Sequence, residues 1–577
     1  MKHLLSHLKK YRVESILGPL FKLLEASFEL LVPLVVASII EDGIKGESTP
    51  HIIKMSLVLV LLAVVGLASS LTAQYFAAKA AVGTTTSLRR ALFAKMQSLS
   101  FTDMDKLGAS TMINRITSDL NQVQSGINLT LRLFLRSPFI VLGAVVMAFV
   151  VDPTSTLVFV AVLPLLCLVV FGIMLAGIPL YKKVQASLDK LTLSARENVN
   201  GVRVIRAFCM EEAENEEFNK RNNALNSIQK YVGKISALMN PLTYVLINAA
   251  IIVLIYVGAI RVEHGILTQG LVIALYNYMS QILVELIKLA DLIINITKAA
   301  ASVGRVGAIL DLPDNDEALG MNSDENGNAQ SEFSVEFCDV DLRYDGAGDD
   351  SLKDISFKVK RSQTVGIIGG TGCGKTSLVH MIPRFYVATK GKVLVDGVDV
   401  CKYDPKTLRQ KVSIVMQKSV LFKGTIRDNL RFENKDATDE EIMQAVCTAV
   451  AEDVVNAKGG LDGIIEKNGA NLSGGQRQRL SIARALVARP EILILDDSSS
   501  ALDLATDAKL RRELADLDYK PTVFIVSQRL SSIRNCDFTI VLDEGRIVGM
   551  GTHDELAQGC EVYKEIIESQ EKKEAAK

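Results

Sequence analysis

The chain has 577 residues, with 64 Lys and Arg against 65 Asp and Glu, so its formal net charge of −1 gives no chain-wide attraction to nucleic acid or to an anionic surface. Hydrophobic residues make up 49 % of it, only 6 % is aromatic and Trp is absent, which is too apolar for an ordinary soluble protein; at 22 % charged it is too polar for a pure membrane bundle. Two unlike parts are expected.

Lys2, Lys9, Lys10 and Arg12 precede an apolar stretch too long for a signal-peptide core and followed by no small-residue cleavage motif, so it reads as a retained membrane helix. Segments long enough to cross a bilayer, about 20 residues each, lie at 16–40, 55–78, 131–151, 156–180, 242–262 and 271–294. Six spans return the chain to its starting side. The long links after the second and fourth spans carry Arg89, Arg90, Lys95 and Arg115, then Lys182, Lys183, Arg203, Arg206, Lys220 and Arg221, and face the cytoplasm by the positive-inside tendency. The short links at 41–50, 152–155 and 263–269 are external. The N-terminus and everything after about residue 300 are therefore expected on the cytoplasmic side of the plasma (cell inner) membrane. Helical apolar spacing at Met112, Ile113, Ile116, Leu120 and Val123 extends the membrane helices into the cytosol.

Polar residues inside spans are costly and mark candidate transport residues: Glu25, Glu29, Arg136, Asn248, Asn277, Gln281 and Glu285. Glu25 and Glu29, one helical turn apart, either line a cavity for cationic amphipaths or pair with Arg136, Lys22 or Lys288.

Segment 311–331 holds Asp311, Asp314, Asp316, Glu317, Asp324 and Glu325 with no basic residue, plus Pro313, Gly320 and Gly327, and reads as an acidic linker between a transmembrane domain at 1–310 and a second domain at 332–569. Alternating Phe333, Val335 and Phe337 open that domain as a strand. The stretch 570–577 reads as a polar, solvated helix end with no assigned role. The 8 cysteines, Cys167, Cys209, Cys338, Cys373, Cys401, Cys447, Cys536 and Cys560, form no C-x-x-C pair and fit neither a disulfide framework nor a zinc site.

Val365, Ile367 and Ile368 lead as a strand into Gly369, Gly370, Thr371, Gly372, Cys373, Gly374, Lys375 and Thr376, followed by helical Ser377, Leu378, Val379 and His380. This is a P-loop in its required context: glycines let backbone N–H groups curl around phosphates, Lys375 reaches the β- and γ-phosphates, and Thr376 offers a hydroxyl to Mg²⁺. Glu491 to Asp497 reads as a buried strand ending in two carboxylates, which puts Asp496 at the Walker B position for Mg²⁺. Ser473, Gly474, Gly475 and Gln476 open a further helix and imply a second anion-binding helix start.

With these motifs the chain resembles the ATP-binding cassette exporters, as a half-transporter over essentially its whole length. The resemblance implies a six-helix membrane bundle followed by an α/β P-loop NTPase domain with a helical subdomain, and ATP and Mg²⁺ as cofactors. It implies that Ser473, Gly474, Gly475 and Gln476 contact the γ-phosphate held by the opposite subunit, that Tyr344 stacks on adenine, that Gln417 is the Q-loop residue near the nucleotide and its metal, that Ser377 is among the nucleotide-binding residues, and that 500–503 is the D-loop. Segments 108–119 and 200–208 resemble the first and second cytoplasmic coupling helices.

Two positions depart from the family pattern. Asp497 stands where members that hydrolyse ATP well carry Glu, and Gln528 where they carry His. A carboxylate one methylene short draws back from its water, and a displacement of about 1 Å can cost on the order of a hundredfold; an amide cannot carry the charge of an imidazolium. The pattern is similar to the degenerate-site subunit of bacterial heterodimeric multidrug exporters, with a second half-transporter as partner and amphipathic drugs as cargo. A lipid or peptide flippase, a homodimeric exporter, or an ATP-gated channel or regulatory sensor are the other readings.

Overall fold

The computed structural model describes residues 1–313 and 331–575. It divides into two compact units, Met1–Gln97 with Ala109–Leu312, and Ser98–Gly108 with Pro313–Lys577. Most of the expected acidic linker lies outside the described residues.

The first unit is helical. Asp152 accepts from the Ser155 backbone N–H at 2.8 Å while Pro153 occupies the first helical position, so the N-terminus of Pro153–Asn200 is capped by its own sequence. Helix Thr49–Ser98 has 50 residues, about 75 Å at about 1.5 Å per residue, against a bilayer hydrocarbon core of about 30 Å. It therefore runs on beyond a membrane. Five helical runs, Lys2–Lys45, Thr49–Ser98, Ala109–Val151, Pro153–Asn200 and Glu211–Glu263, are long and apolar enough to cross one by length and composition. The sixth expected span falls in the 42-residue helix Gln269–Leu310, which is not among these five. Leu275, Tyr278, Met279, Ile282, Glu285 and Leu286 on it are all buried, so this helix is enclosed within the first unit.

Glu285 binds the enclosing helices together. Its carboxylate accepts from Arg136 Nη1 at 2.7 Å, from Ser137 Oγ at 2.7 Å and from Lys288 Nζ at 2.8 Å. Arg136 reaches on to Glu29 at 2.6 Å, and Lys22 pairs with Glu25 at 2.5 Å. Of the two readings of Glu25 and Glu29, the paired one holds: Glu25, Glu29 and Glu285 each face a cation.

The second unit carries the short helix Phe101–Leu107, capped by Ser100 and closed by Gly108. Phe101 stacks on Phe385 at 4.3 Å, and Tyr386 donates to Asp105 at 2.7 Å. The resemblance places the first coupling helix at 108–119; the helix that packs on the nucleotide-binding unit is instead Phe101–Leu107. Segment 108–119 itself forms Ala109–Asn114 and Arg115–Asp119, which lead into helix Leu120–Leu133 with Leu120, Val123 and Ile127 buried in the first unit. The second expected coupling helix is Val202–Ala207, with Val204 and Phe208 exposed.

Two main sheets build the rest. The six-stranded one runs Arg546–Gly551, Phe538–Asp543, Thr364–Gly369, Thr522–Val526, Ile492–Asp496 and Val412–Val415 in spatial order, parallel except at the Arg546–Gly551 edge. Ile492–Asp496 and Thr522–Val526 are buried at every position, the continuous apolar run of a parallel strand covered on both faces. The second sheet is antiparallel, in the order Leu352–Lys360, Phe333–Leu342, Lys390–Val395 and Val398–Asp399. Parallel strands in one sheet end on the same side, so the loops after Gly369, Asp496 and Val526 gather at one edge.

Candidate functional site

At that edge Gly369 to Gly374 form the loop between strand Thr364–Gly369 and helix Lys375–His380. Gly374 sits at φ 97°, and a Cβ there would lie 2.8 Å from the Ser351 carbonyl oxygen; one on Gly369 would lie 2.0 Å from the Leu542 carbonyl oxygen. Only glycine fits, and the backbone is left bare for a ligand to approach. Gly370, Thr371 and Gly372 are exposed, Cys373 is buried, and Lys375 folds back so that Nζ donates to the Gly369 and Gly370 carbonyls at 2.8 and 2.6 Å.

Thr376 Oγ1 donates to Asp496 at 3.0 Å, which brings the expected Mg²⁺ ligands together. His380, one turn beyond Thr376, lies 3.5 Å from the other Asp496 oxygen, with a buried Nε2 that makes no hydrogen bond. Asp497 follows at φ 46°, its N–H donating to the Val526 carbonyl at 2.9 Å. Gln417 reaches across from the loop after Val412–Val415, and its amide donates to Asp497 at 3.2 Å. Burial pushes the Asp497 carboxyl above the usual aspartate range; the Gln417 hydrogen bond draws it back and the neighbouring Asp496 charge adds to the rise.

Tyr344 is half-buried, packs edge-on against Tyr386 at 5.1 Å and shares a 2.8 Å hydrogen bond with Ser377 Oγ. The Gln528 side chain is exposed on the loop after Thr522–Val526. Ser473, Gly474, Gly475 and Gln476 begin helix Gly474–Val487, where Ser473 Oγ accepts from the Gln476 N–H and Gln476 Oε1 from the Ser473 N–H, a capping box that engages both polar side chains. The first helical N–H groups, at Gly474 and Gly475, remain for an anion. Among the described residues no hydrogen bond joins this turn to the P-loop.

The donor set suits a nucleotide phosphate with Mg²⁺. A glycine cradle, an ammonium, a hydroxyl beside a carboxylate and a nearby amide supply some oxygen ligands, and the phosphates supply others. Among the described residues no group of three or more His, Cys, Asp and Glu side chains could hold a metal unaided. Sequence reading passed over His380, whose helical spacing from Thr376 was readable but whose Asp496 contact depends on strand order, and Tyr386, whose packing against Tyr344 shows only in the folded contacts.

A long-helix membrane unit joined to a P-loop unit with a second anion-binding turn defines an ATP-binding membrane transporter. Residues 15–286 match the ABC transporter transmembrane region and residues 352–500 the ABC transporter domain. The chain is 32 % identical to the ABC transporter ATP-binding protein YfiB of Bacillus subtilis (strain 168) over 99 % of this chain and 98 % of the relative. It is 29 % identical over 98 % of both chains to YgaD of the same organism, a protein named for multidrug export. It is also 31 % identical to the ATP-dependent lipid A-core flippase of Syntrophus aciditrophicus (strain SB) over 83 % of this chain and 79 % of the relative. The chain belongs to the ABC transporter family, as an ATP-driven exporter.

Proposed function

We propose that this chain is one subunit of a heterodimeric exporter in the plasma membrane that works by alternating access, with six membrane-crossing helices and the N-terminus and nucleotide-binding unit in the cytoplasm. Its own Walker site binds ATP and hydrolyses it slowly, while its signature turn completes a competent site on the partner. Lys375 takes the β- and γ-phosphates, Thr376, Asp496 and Gln417 hold Mg²⁺, Tyr344 stacks on adenine, and Ser473, Gly474, Gly475 and Gln476 face the partner's γ-phosphate. Held by these residues beside the nucleotide, Mg²⁺ would supply neutralisation of the charge that develops in phosphoryl transfer.

The observation that carries this reading is the convergence of both departures on one site. Asp497 and Gln528 follow adjacent parallel strands that pair Val526 with Asp496, so both face the same P-loop edge. The signature turn, by contrast, departs from the family pattern at none of its positions. Exposed Val204 and Phe208 on one unit, and Phe422 and Phe432 stacked at 5.0 Å and exposed on the other, offer apolar surface for a second subunit. Restoring both positions, Asp497→Glu with Gln528→His, tests the reading by whether this chain's site regains turnover.

The cargo we propose is amphipathic small molecules, in keeping with the likeness to a protein named for multidrug export; the likeness to a lipid A-core flippase supports lipid as the second reading. Charge selection is not part of it, because the carboxylates of Glu25, Glu29 and Glu285 are each matched by Lys22, Arg136 or Lys288. Replacing Glu25 and Glu29 by Gln is expected to reduce efflux of a cationic and a neutral dye by the same factor. A loss confined to the cationic dye would show that these carboxylates select charge.

A further inference from the structure

Gln570, in the stretch 570–577 to which the sequence assigns no role, reaches the loop that carries Gln528. Helix Glu561–Ala575 runs into that stretch, and its face of Tyr563, Ile566 and Ile567 packs onto the core of the second unit, with Tyr563 fully buried and its hydroxyl 2.9 Å from His553 Nδ1. Gln570 continues the same face one turn on. Its amide makes two hydrogen bonds to the backbone of the loop that carries Gln528: Nε2 donates to the Gln528 carbonyl at 2.7 Å, and Oε1 accepts from the Leu530 N–H at 2.9 Å. The residue between them, Arg529, is held from the other side, its guanidinium donating to the Leu502 and Ser500 carbonyls at 2.8 and 3.1 Å. One face of the loop is thus tied to residues 500–503 and the other to the C-terminal helix.

We propose that Gln570 is a positioning residue: by fixing both backbone groups around Arg529 it sets the direction in which the Gln528 side chain leaves the loop, and so its reach to the γ-phosphate. A side-chain amide offers a donor and an acceptor side by side without a charge, which is what a carbonyl and an N–H two residues apart require. The proposal rests on the reading of Gln528 as the residue that faces the γ-phosphate.

Two readouts on the full chain in detergent separate the clamp from its consequence. Hydrogen exchange of the segment 526–533 is expected to quicken in Gln570→Ala. It should also quicken in Gln570→Glu, which keeps the shape and the acceptor but sets a carboxylate against the Gln528 carbonyl and serves if the alanine variant fails to fold. Displacement of trinitrophenyl-ADP by ATP and by ADP, with Mg²⁺ present, is expected to show the preference for ATP reduced about fivefold to tenfold in Gln570→Ala and in Gln528→Ala. The double variant should lose no more than either, the non-additivity of two residues acting through one contact. Unchanged exchange overturns the clamp. Faster exchange with an unchanged ATP preference, where Gln528→Ala lowers it, overturns the positioning role. If Gln528→Ala itself leaves the preference unchanged, the reading of Gln528 fails, and the positioning role with it.

Discussion

Exchanging Asp497 for Glu and Gln528 for His together is expected to raise ATP turnover at this chain's own site by about two orders of magnitude, because about 1 Å of reach at a general base is worth on the order of a hundredfold. The lengthened carboxylate moves toward the water that Asp497 leaves short, and the imidazole can carry positive charge where the amide of Gln528 cannot. Each single exchange is expected to recover less than the pair, since base and γ-phosphate contact act on one reaction centre. Radiolabelled phosphate release from the complex, with the partner's Walker B carboxylate exchanged for an amide to silence its site, reads this chain's site directly. Turnover unchanged in the double variant would show that residues other than Asp497 and Gln528 limit hydrolysis.

The second large effect belongs to the membrane helices. Arg136→Met is expected to destabilise the first unit by about 3 kcal/mol, near the lower end for breaking a buried ion pair. Glu285, with a side chain 3 % exposed, loses its partner at 2.7 Å while Lys288 remains at 2.8 Å and limits the loss. Pairing the change with Glu285→Gln removes the buried carboxylate left with Lys288 as its partner cation and is expected to restore most of the stability. Thermal unfolding in detergent distinguishes the cases. If the double variant is no more stable than Arg136→Met, the cost came from lost packing rather than from the charge.

What could be read from the sequence was what local chemistry dictates. The P-loop was legible because Gly369 and Gly374 answer a backbone requirement that no other residue meets, and strand Ile492–Asp496 because burial on both faces demands an unbroken apolar run. The resemblance placed the first coupling helix at 108–119, a few residues too late, because the short Phe101–Leu107 is too brief to establish an apolar period of its own and announces itself only by the Ser100 cap and the Asp103 that follows it. Pairings across long stretches of chain could be posed but not decided. Glu29 could meet a cavity or Arg136, and only the packed helices bring the two within 2.6 Å. Gln570 carried no signal, since its partners lie on a loop about 40 positions earlier.

The most direct test of an asymmetric pair is the ATPase rate of this chain purified alone and purified with its partner half-transporter. The account predicts negligible activity alone, and activity in the complex that disappears when the partner's catalytic Glu is replaced by Gln. Full hydrolysis by this chain alone would contradict it, showing Asp497 to be a competent base and the transporter to be a homodimer.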